Sequence, residues 1–374
     1  MQAGLRDTHL FAIVNDSERF VLRFFDVIEA SAPHIYDSAL LWSPASSLVR
    51  GLYRVQIPQE VKLFNAVEES WDACTREVQV ADEQVDAIMF SHKDDLIAVA
   101  NDTCVKIFEV MTGKGRGTFK SHAWYSYSWS LAFSPDDTVL VVGYTGGSMD
   151  VWDLQTGGLV KCFRVELERY RDPVTYVAFS PCGTMIASSK DYTIRIWNAL
   201  SYDCQCILEG HSGNVRTICW TSTGSERVIS GSVDGMVKVW DVSRVKCLKT
   251  FSGHDKVSSV MSSDDSSLIA ASSNKRESYL IVGTVKVIDA ETGDVIQAIP
   301  TEADVRLLSF THHDQVMYAT QSRIVIWDFR RNASVWMFKF RGHTYALTVS
   351  SDRACVASYD SSRVLKIWQA DNVI

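Results

Sequence analysis

Short runs of alternating apolar and polar residues recur along most of this chain, separated by small and polar turn residues. Such alternation predicts half-buried β-strands, because successive side chains point to opposite faces. The clearest unit reads Val215-Arg-Thr-Ile218-Cys-Trp220, then Val228-Ile-Ser230-Gly, then Met236-Val-Lys-Val-Trp240-Asp241, with a fourth run at Cys247-Leu-Lys-Thr-Phe251. The third run ends on a bulky anchor, and comparable anchors follow at a nearly fixed period. They are Phe108, Trp152, Trp197, Trp240, Ile288, Trp327 and Trp368, with gaps of 44, 45, 43, 48, 39 and 41 residues. A period near 40–45 residues, with Trp-Asp pairs at Trp152-Asp153 and Trp240-Asp241, predicts one four-stranded blade per repeat. The expected fold is therefore all-β, a seven-bladed β-propeller over residues 71–374, preceded by a short α-helical segment over 1–70.

The periodicity changes in that first segment. Phe20, Val21, Phe24, Phe25 and Ile28 follow a helical stripe, after a start signal at Asn15-Asp-Ser-Glu18 with a capping box between Asn15 and Glu18. Pro33 ends this helix. Ser43-Pro44 reads as a second start, N-cap then proline, and Leu48, Val49, Leu52 and Tyr53 continue that helix's apolar side. Aromatics on short helices need a surface to pack on. Either the segment docks on the propeller or it is the end of a domain lying upstream. The ring must also close. Trp368 is followed by only six residues, so the last blade needs an outer strand from elsewhere, and Thr75-Arg-Glu-Val-Gln-Val80 is the candidate.

Composition narrows the function classes. The net charge is −8, and residues 1–80 hold 7 basic and 11 acidic residues, leaving −4 in each part. No region has the basic excess expected for nucleic-acid or anionic-membrane binding. No run of 18 apolar residues predicts a spanning helix. Nine scattered cysteines, without a C-x-x-C spacing or a signal-peptide pattern, predict reduced thiols in the cytoplasm, with the nucleus as the alternative.

The unit from Gly210-His211 through Ser230 and Asp234 to Trp240-Asp241 resembles the WD-repeat (WD40) family. The resemblance covers about residues 80–374. Gly-His recurs at Gly253-His254 and Gly342-His343, and Phe-Ser-Pro turns occur at Phe133 and Phe179. Blades five to seven depart most, with Ile288 in place of Trp and extra residues near Asn274–Val282. The resemblance implies that His211, Ser230, Asp234 and Trp240 form a hydrogen-bonded structural chain rather than a catalytic triad. It also implies a recognition role for protein or peptide.

The stretch from Ser17 through Tyr36, with Ser38-Ala-Leu40 and Ser43-Pro44, resembles the junction in fungal NACHT–WD-repeat (NLR-like) NTPases, over roughly residues 10–80. Those proteins carry a Gly-x-x-x-x-Gly-Lys-Ser/Thr loop upstream. Here the nearest cluster, Gly113-Lys-Gly-Arg-Gly117, lacks that spacing, so NTP hydrolysis does not follow. The resemblance implies instead the sensing or scaffold end of such a protein.

The WD-repeat resemblance also implies where binding occurs: on the face that holds the Gly-His loops, with the residue four before each inner-strand aromatic near the rim of the central channel. The rim should then carry Asp86, Trp129, Thr175, Arg216 and Arg306, with Ser258 and Ala346 completing the ring by alignment. Trp and Arg dominate binding hot spots. The loop entering blade two adds Trp124, Tyr125 and Tyr127, and blade five's extra loop adds Lys275, Arg276 and Tyr279. Rival readings are that the aromatics pack internally and that the loop is simply solvated. His312-His313-Asp314 falls at a strand turn, and Cys204-Gln-Cys206 has no second pair at zinc spacing. No metal, cofactor or catalytic motif is indicated, so the chain reads as a non-enzyme.

Overall fold

A computed structural model describes residues 12–14, 16–17, 19–25, 28, 39–40, 43–53, 74–80, 85–101, 103–120, 128–144, 148–163, 174–222, 226–277, 280–312, 314–339, 344–351, 355–360 and 363–369. Helix α1 (Leu48–Leu52) precedes the closing strand β1 (Cys74–Gln79). Blade one holds β2 (Ala87–Phe90), β3 (Leu96–Ala100), β4 (Cys104–Glu109) and β5 (Gly115–Lys120). Blade two holds β6 (Ser128–Phe133), β7 (Val139–Tyr144), β8 (Met149–Asp153) and β9 (Leu159–Phe163). Blade three holds β10 (Val174–Phe179), β11 (Met185–Lys190), β12 (Thr193–Asn198) and β13 (Cys204–Leu208). Blade four holds β14 (Val215–Trp220), β15 (Arg227–Ser232), β16 (Val237–Asp241) and β17 (Lys246–Phe251). Blade five holds β18 (Lys256–Ser262), β19 (Leu268–Glu277), β20 (Leu280–Asp289) and β21 (Val295–Thr301). Blade six holds β22 (Leu307–His312), β23 (Gln315–Ala319), β24 (Arg323–Asp328) and β25 (Ala333–Lys339). Blade seven joins β26 (Thr344–Val349), β27 (Cys355–Asp360) and β28 (Val364–Gln369) to β1.

These seven four-stranded antiparallel sheets are the seven blades that the anchor period predicts. The first strands of neighbouring blades contact one another from β26 through β2, β6, β10, β14 and β18 to β22, so these seven strands surround the centre. Apolar residues of adjacent blades pack face to face. Leu131, Phe133 and Leu140 of blade two, for example, lie against Ala98 and Ile107 of blade one. Gly231 allows such an approach, because a Cβ there would lie 2.4 Å from Val257 Cγ1 of blade five.

Each anchor occupies one recurring irregularity. The ladder between the third and outer strands shifts register at Phe108, Trp152, Trp197, Trp240, Ile288 and Trp327. In blade seven the same shift falls between Cys74 and Arg76 of β1, with Cys74 opposite Trp368. The closing strand thus reproduces the outer-strand geometry of the other blades although it comes from the far end of the chain. A bulge bends its strand and strengthens the local twist.

The helical segment has its own small core of Phe20, Ala39, Leu40 and Val49, with Phe24 and Ile28 against it. It also touches the propeller. Arg76 of β1 donates to the Leu22 carbonyl at 2.9 Å and to Thr112 O in blade one at 2.7 Å, and its guanidinium lies 5.5 Å from the Phe25 ring. Two details differ from the helical stripes. Val21, Leu52 and Tyr53 are exposed. The N-cap of α1 is Ser47 rather than Ser43. The buried Asp16 carboxylate accepts from Ser47 Oγ at 2.9 Å and from the Val49 N–H at 2.7 Å, which starts the helix there. Asn15, Glu18, Pro33 and Tyr36 lie outside the described residues.

Candidate functional site

Blade four carries a continuous polar chain. Trp240 Nε1–H donates to Ser230 Oγ at 2.8 Å, Ser230 lies 2.8 Å from His211 Nε2, and His211 Nδ1 lies 2.8 Å from Asp234 Oδ2. The N–H groups of Ser212 and Met236 also donate to Asp234. Burial holds the His211 pKa below its usual value, so the ring is neutral, with Nδ1–H donating to the carboxylate and Nε2 accepting from the Ser230 hydroxyl. Burial pushes Asp234 up, but His211 and the two N–H donors outweigh it and leave its pKa lowered. Ser230 has no exposed surface and its oxygen already accepts from Trp240, so no substrate carbonyl can approach it. The arrangement pins the blade together.

Other blades keep parts of this chain. Trp197 Nε1–H donates to Ser188 Oγ at 2.9 Å and Trp368 Nε1–H to Ser358 Oγ at 2.6 Å. In blade six the register puts Tyr318 where Ser230 stands, and the buried Trp327 Nε1 has no hydrogen-bond partner. In blade five Ala271 and Ile288 replace the serine and tryptophan. There the buried His254 Nδ1 has no hydrogen-bond partner, and burial, reinforced by Lys286, holds its pKa down to about 4.

The rim is built by a second set of bulges. The register between first and second strands skips one residue at Trp129, Thr175, Arg216, Ser258 and Tyr345. Asp86 and Arg306 stand just before their strands, their N–H groups donating to Ala100 O and Ala319 O. A bulge re-aims the side chain it carries. Arg216 is exposed between buried Val215 and Thr217, and Tyr345 between buried Thr344 and Ala346. The ring's seventh member is therefore Tyr345, 47% exposed, and not Ala346, 7% exposed. The alignment slips because Val349, like Ser262 of blade five, offers no aromatic from which to count back.

Blades four to six concentrate charge at this rim. Arg306 Nη1 donates to Thr344 O at 3.0 Å and Tyr345 O at 2.8 Å, bridging to blade seven. The Asn274 amide donates to Asp304. Burial pushes the Asp304 carboxyl up, against the pull of Arg306, Asn274 and Arg216. Asp304 is absent from the sequence-level candidates, since only the fold brings it beside Arg216 and Arg306, and Asn274 enters there only as the first residue of blade five's extra stretch. Lys275 is exposed on the β19–β20 hairpin. Trp124, Tyr125, Tyr127 and Tyr279 lie outside the described residues, as do the side chains of Trp129 and Arg276.

Among the described residues no cluster of three or more His, Cys, Asp or Glu could hold a metal ion. Asp314 pairs with Arg330 at 2.8 Å in its turn, and His313 lies outside the described residues. No described helix is long and apolar enough to cross a membrane.

Comparison with known proteins agrees with this architecture. The model of the "WD domain, G-beta repeat" matches residues 113–153, 161–198, 202–241 and 245–276. Mitochondrial division protein 1 of Aspergillus oryzae is 38% identical over 91 residues, 24% of this chain and 13% of that protein. The probable coatomer subunit beta' of Schizosaccharomyces pombe is 32% identical over 145 residues, 38% of this chain and 17% of that protein. Vegetative incompatibility protein HET-E-1 of Podospora anserina is 31% identical over 107 residues, 28% of this chain and 8% of that protein. The chain thus matches less than a fifth of the length of each of these relatives. The family model reaches no residue before 113, so it carries nothing about the helical segment. Four matched WD40 repeats thus lie within a β-propeller of seven closed blades.

Proposed function

We propose that this propeller is a non-catalytic recognition module that binds a protein or peptide at the channel rim. WD40 propellers are generally non-catalytic and typically serve as protein-interaction scaffolds. The observation that carries the reading is the bulged, exposed pair Arg216 and Tyr345, with Arg306 between them on the same face. Exposed arginine and aromatic side chains on a rigid ring match the residue types that anchor interfaces. Trp129 occupies the corresponding bulge in blade two, and Trp124, Tyr125, Tyr127, Lys275, Arg276 and Tyr279 extend the candidate surface in sequence. Nucleic acid and membrane are not proposed as partners, given the charge of −8. The setting proposed is cytoplasmic, or nuclear. The test is selection of binders from a random linear-peptide display, followed by Trp129→Ala, Arg216→Ala and Arg306→Ala variants. Loss of about tenfold or more in affinity in these variants supports the site. Binders unaffected by all three would remove the assignment.

A second reading is that these residues form the sensor end of a NACHT-type NTPase. The likeness to a vegetative incompatibility protein, of which the match spans 8%, and the fungal NACHT resemblance of residues 10–80 favour it. Intact mass of the native protein in extracts of its own organism separates the readings. A species near 41.9 kDa supports a stand-alone adaptor. A much larger one supports the sensor.

A further inference from the structure

We propose that the blade-five hairpin receives an extended acidic peptide segment by strand addition along its channel-side edge. This rests on the face-recognition reading above and specifies how the ligand is held. In blade five the second and third strands are ten residues long, and their ladder continues to Glu277↔Leu280. The first strand stops pairing at Lys256↔Asn274, and the outer strand at Gly283↔Thr301. The pairs Lys275↔Val282, Arg276↔Ile281 and Glu277↔Leu280 therefore form a two-stranded ribbon rising above the blade. At ~3.3 Å per residue it projects about 10 Å.

Sheet order decides which way its edges face. The order is β18-β19-β20-β21, and β18 contacts the first strands of blades four and six. The β19 edge is hence the channel-side edge. Along Arg276 and Glu277 no described strand lies beside it. A ligand strand there would extend the line of β18 beyond Lys256, on the side of the blade that faces the first strands of blades four and six. Exposed strand edges present rows of N–H and C=O groups that template an added strand.

The base of the ribbon is fixed in place. A Cβ on Gly283 would lie 2.2 Å from Thr301 Oγ1 and 2.7 Å from Ala303 O, so glycine lets β20 press against the end of β21. On the other strand, the Asn274 amide is held by Asp304. A ribbon anchored on both strands can present its edge without a large ordering cost on binding.

Local charge selects the ligand. Lys256, Lys275, Arg216 and Arg306 carry four positive charges around this edge, against Asp255 and Asp304, while Glu302 is paired with Arg323, which leaves +2 in a chain of −8. An acidic segment is the complementary occupant.

The chain supplies its own clean test. Deleting residues 275–282 joins Asn274 to Gly283 directly above the Ser273↔Thr284 pair. Asn-Gly is a favoured two-residue hairpin loop, so blade five should still close. The probe is a fluorescent synthetic peptide of about ten residues alternating Glu and Thr, long enough to span a strand. Its controls are a Lys-for-Glu version and an acidic version N-methylated at alternate residues. Anisotropy titrations should give about tenfold weaker binding for each control on the intact protein, and for the acidic probe on the deletion variant. Equal binding by the deletion variant, equal binding of either control, or no binding of the acidic probe overturns strand addition. Face recognition is judged separately. Display-selected peptides that lose affinity with Arg216→Ala and Arg306→Ala but not with the deletion would leave that reading standing while this one fell.

Discussion

Replacing Ser230 by alanine should destabilise the propeller by about 3 kcal/mol, far more than loss of one hydroxyl suggests. Ser230 links two buried groups: it accepts from Trp240 Nε1 and donates to His211 Nε2, each at 2.8 Å. Alanine leaves both without this partner. Each unsatisfied buried group costs about 1–3 kcal/mol, and the desolvation cost of the serine itself is recovered, which gives about 3 kcal/mol net. The intact Asp234–His211 bond limits the damage, because the ring stays oriented by its other nitrogen. Blade five is a natural comparison. There alanine and isoleucine replace serine and tryptophan together, so no indole N–H is stranded. Accordingly, Ser230→Ala with Trp240→Phe should couple strongly, the second change costing less in the first background than alone. Urea unfolding followed by tryptophan fluorescence measures the loss. Hydrogen exchange of β15 and β16 locates it. A loss below about 0.5 kcal/mol, typical of a plain surface change, would refute the reasoning.

Three further outcomes follow from the same geometry. Arg76→Ala removes the bonds to Leu22 O and Thr112 O, so tryptic cleavage within residues 19–50 should accelerate several-fold while the blades remain protected; unchanged cleavage contradicts a docked segment. Burial holds His254 down to about 4, so its folded pKa lies below the unfolded 6.5; its stabilising contribution is complete above pH 6.5 and is lost as pH falls towards 4. His254→Gln should flatten the fall in urea midpoint between those values, and an unaltered slope speaks against it. The Ser180 hydroxyl, then the Thr184 hydroxyl and N–H, lower the Cys182 pKa, so at pH 7.5 iodoacetamide should label Cys182 faster than exposed Cys204, and Thr184→Val should narrow the gap. Equal rates at the two cysteines count against the hydroxyl effect.

The blade count was legible because the anchors are bulky and their period survives even where the polar chain does not. Ile288 keeps the period although it cannot donate to a serine. What escaped the sequence were features decided by partners far along the chain. Ser43-Pro44 has better local helix-start chemistry than Ser47, yet Asp16, 31 residues away, selects Ser47. Tyr345 was displaced by Ala346 because the last inner strand ends in Val349, and only the bulge register identifies the correct position. Extra residues in blade five were visible as a long gap, but whether they formed a loose loop or a ribbon depended on long-range pairing at Asn274 and Gly283. The Asp304 site was illegible for the same reason, since it assembles from blades four, five and six.

The claim that this propeller reads its ligand at the channel rim is tested most directly by a hydrogen-exchange footprint of a display-selected peptide on the intact protein. Slowed exchange at the starts of β6, β14 and β26 and along Arg276 and Glu277 is the predicted footprint. A footprint confined to the outer strands or to the turns at the opposite face would contradict it.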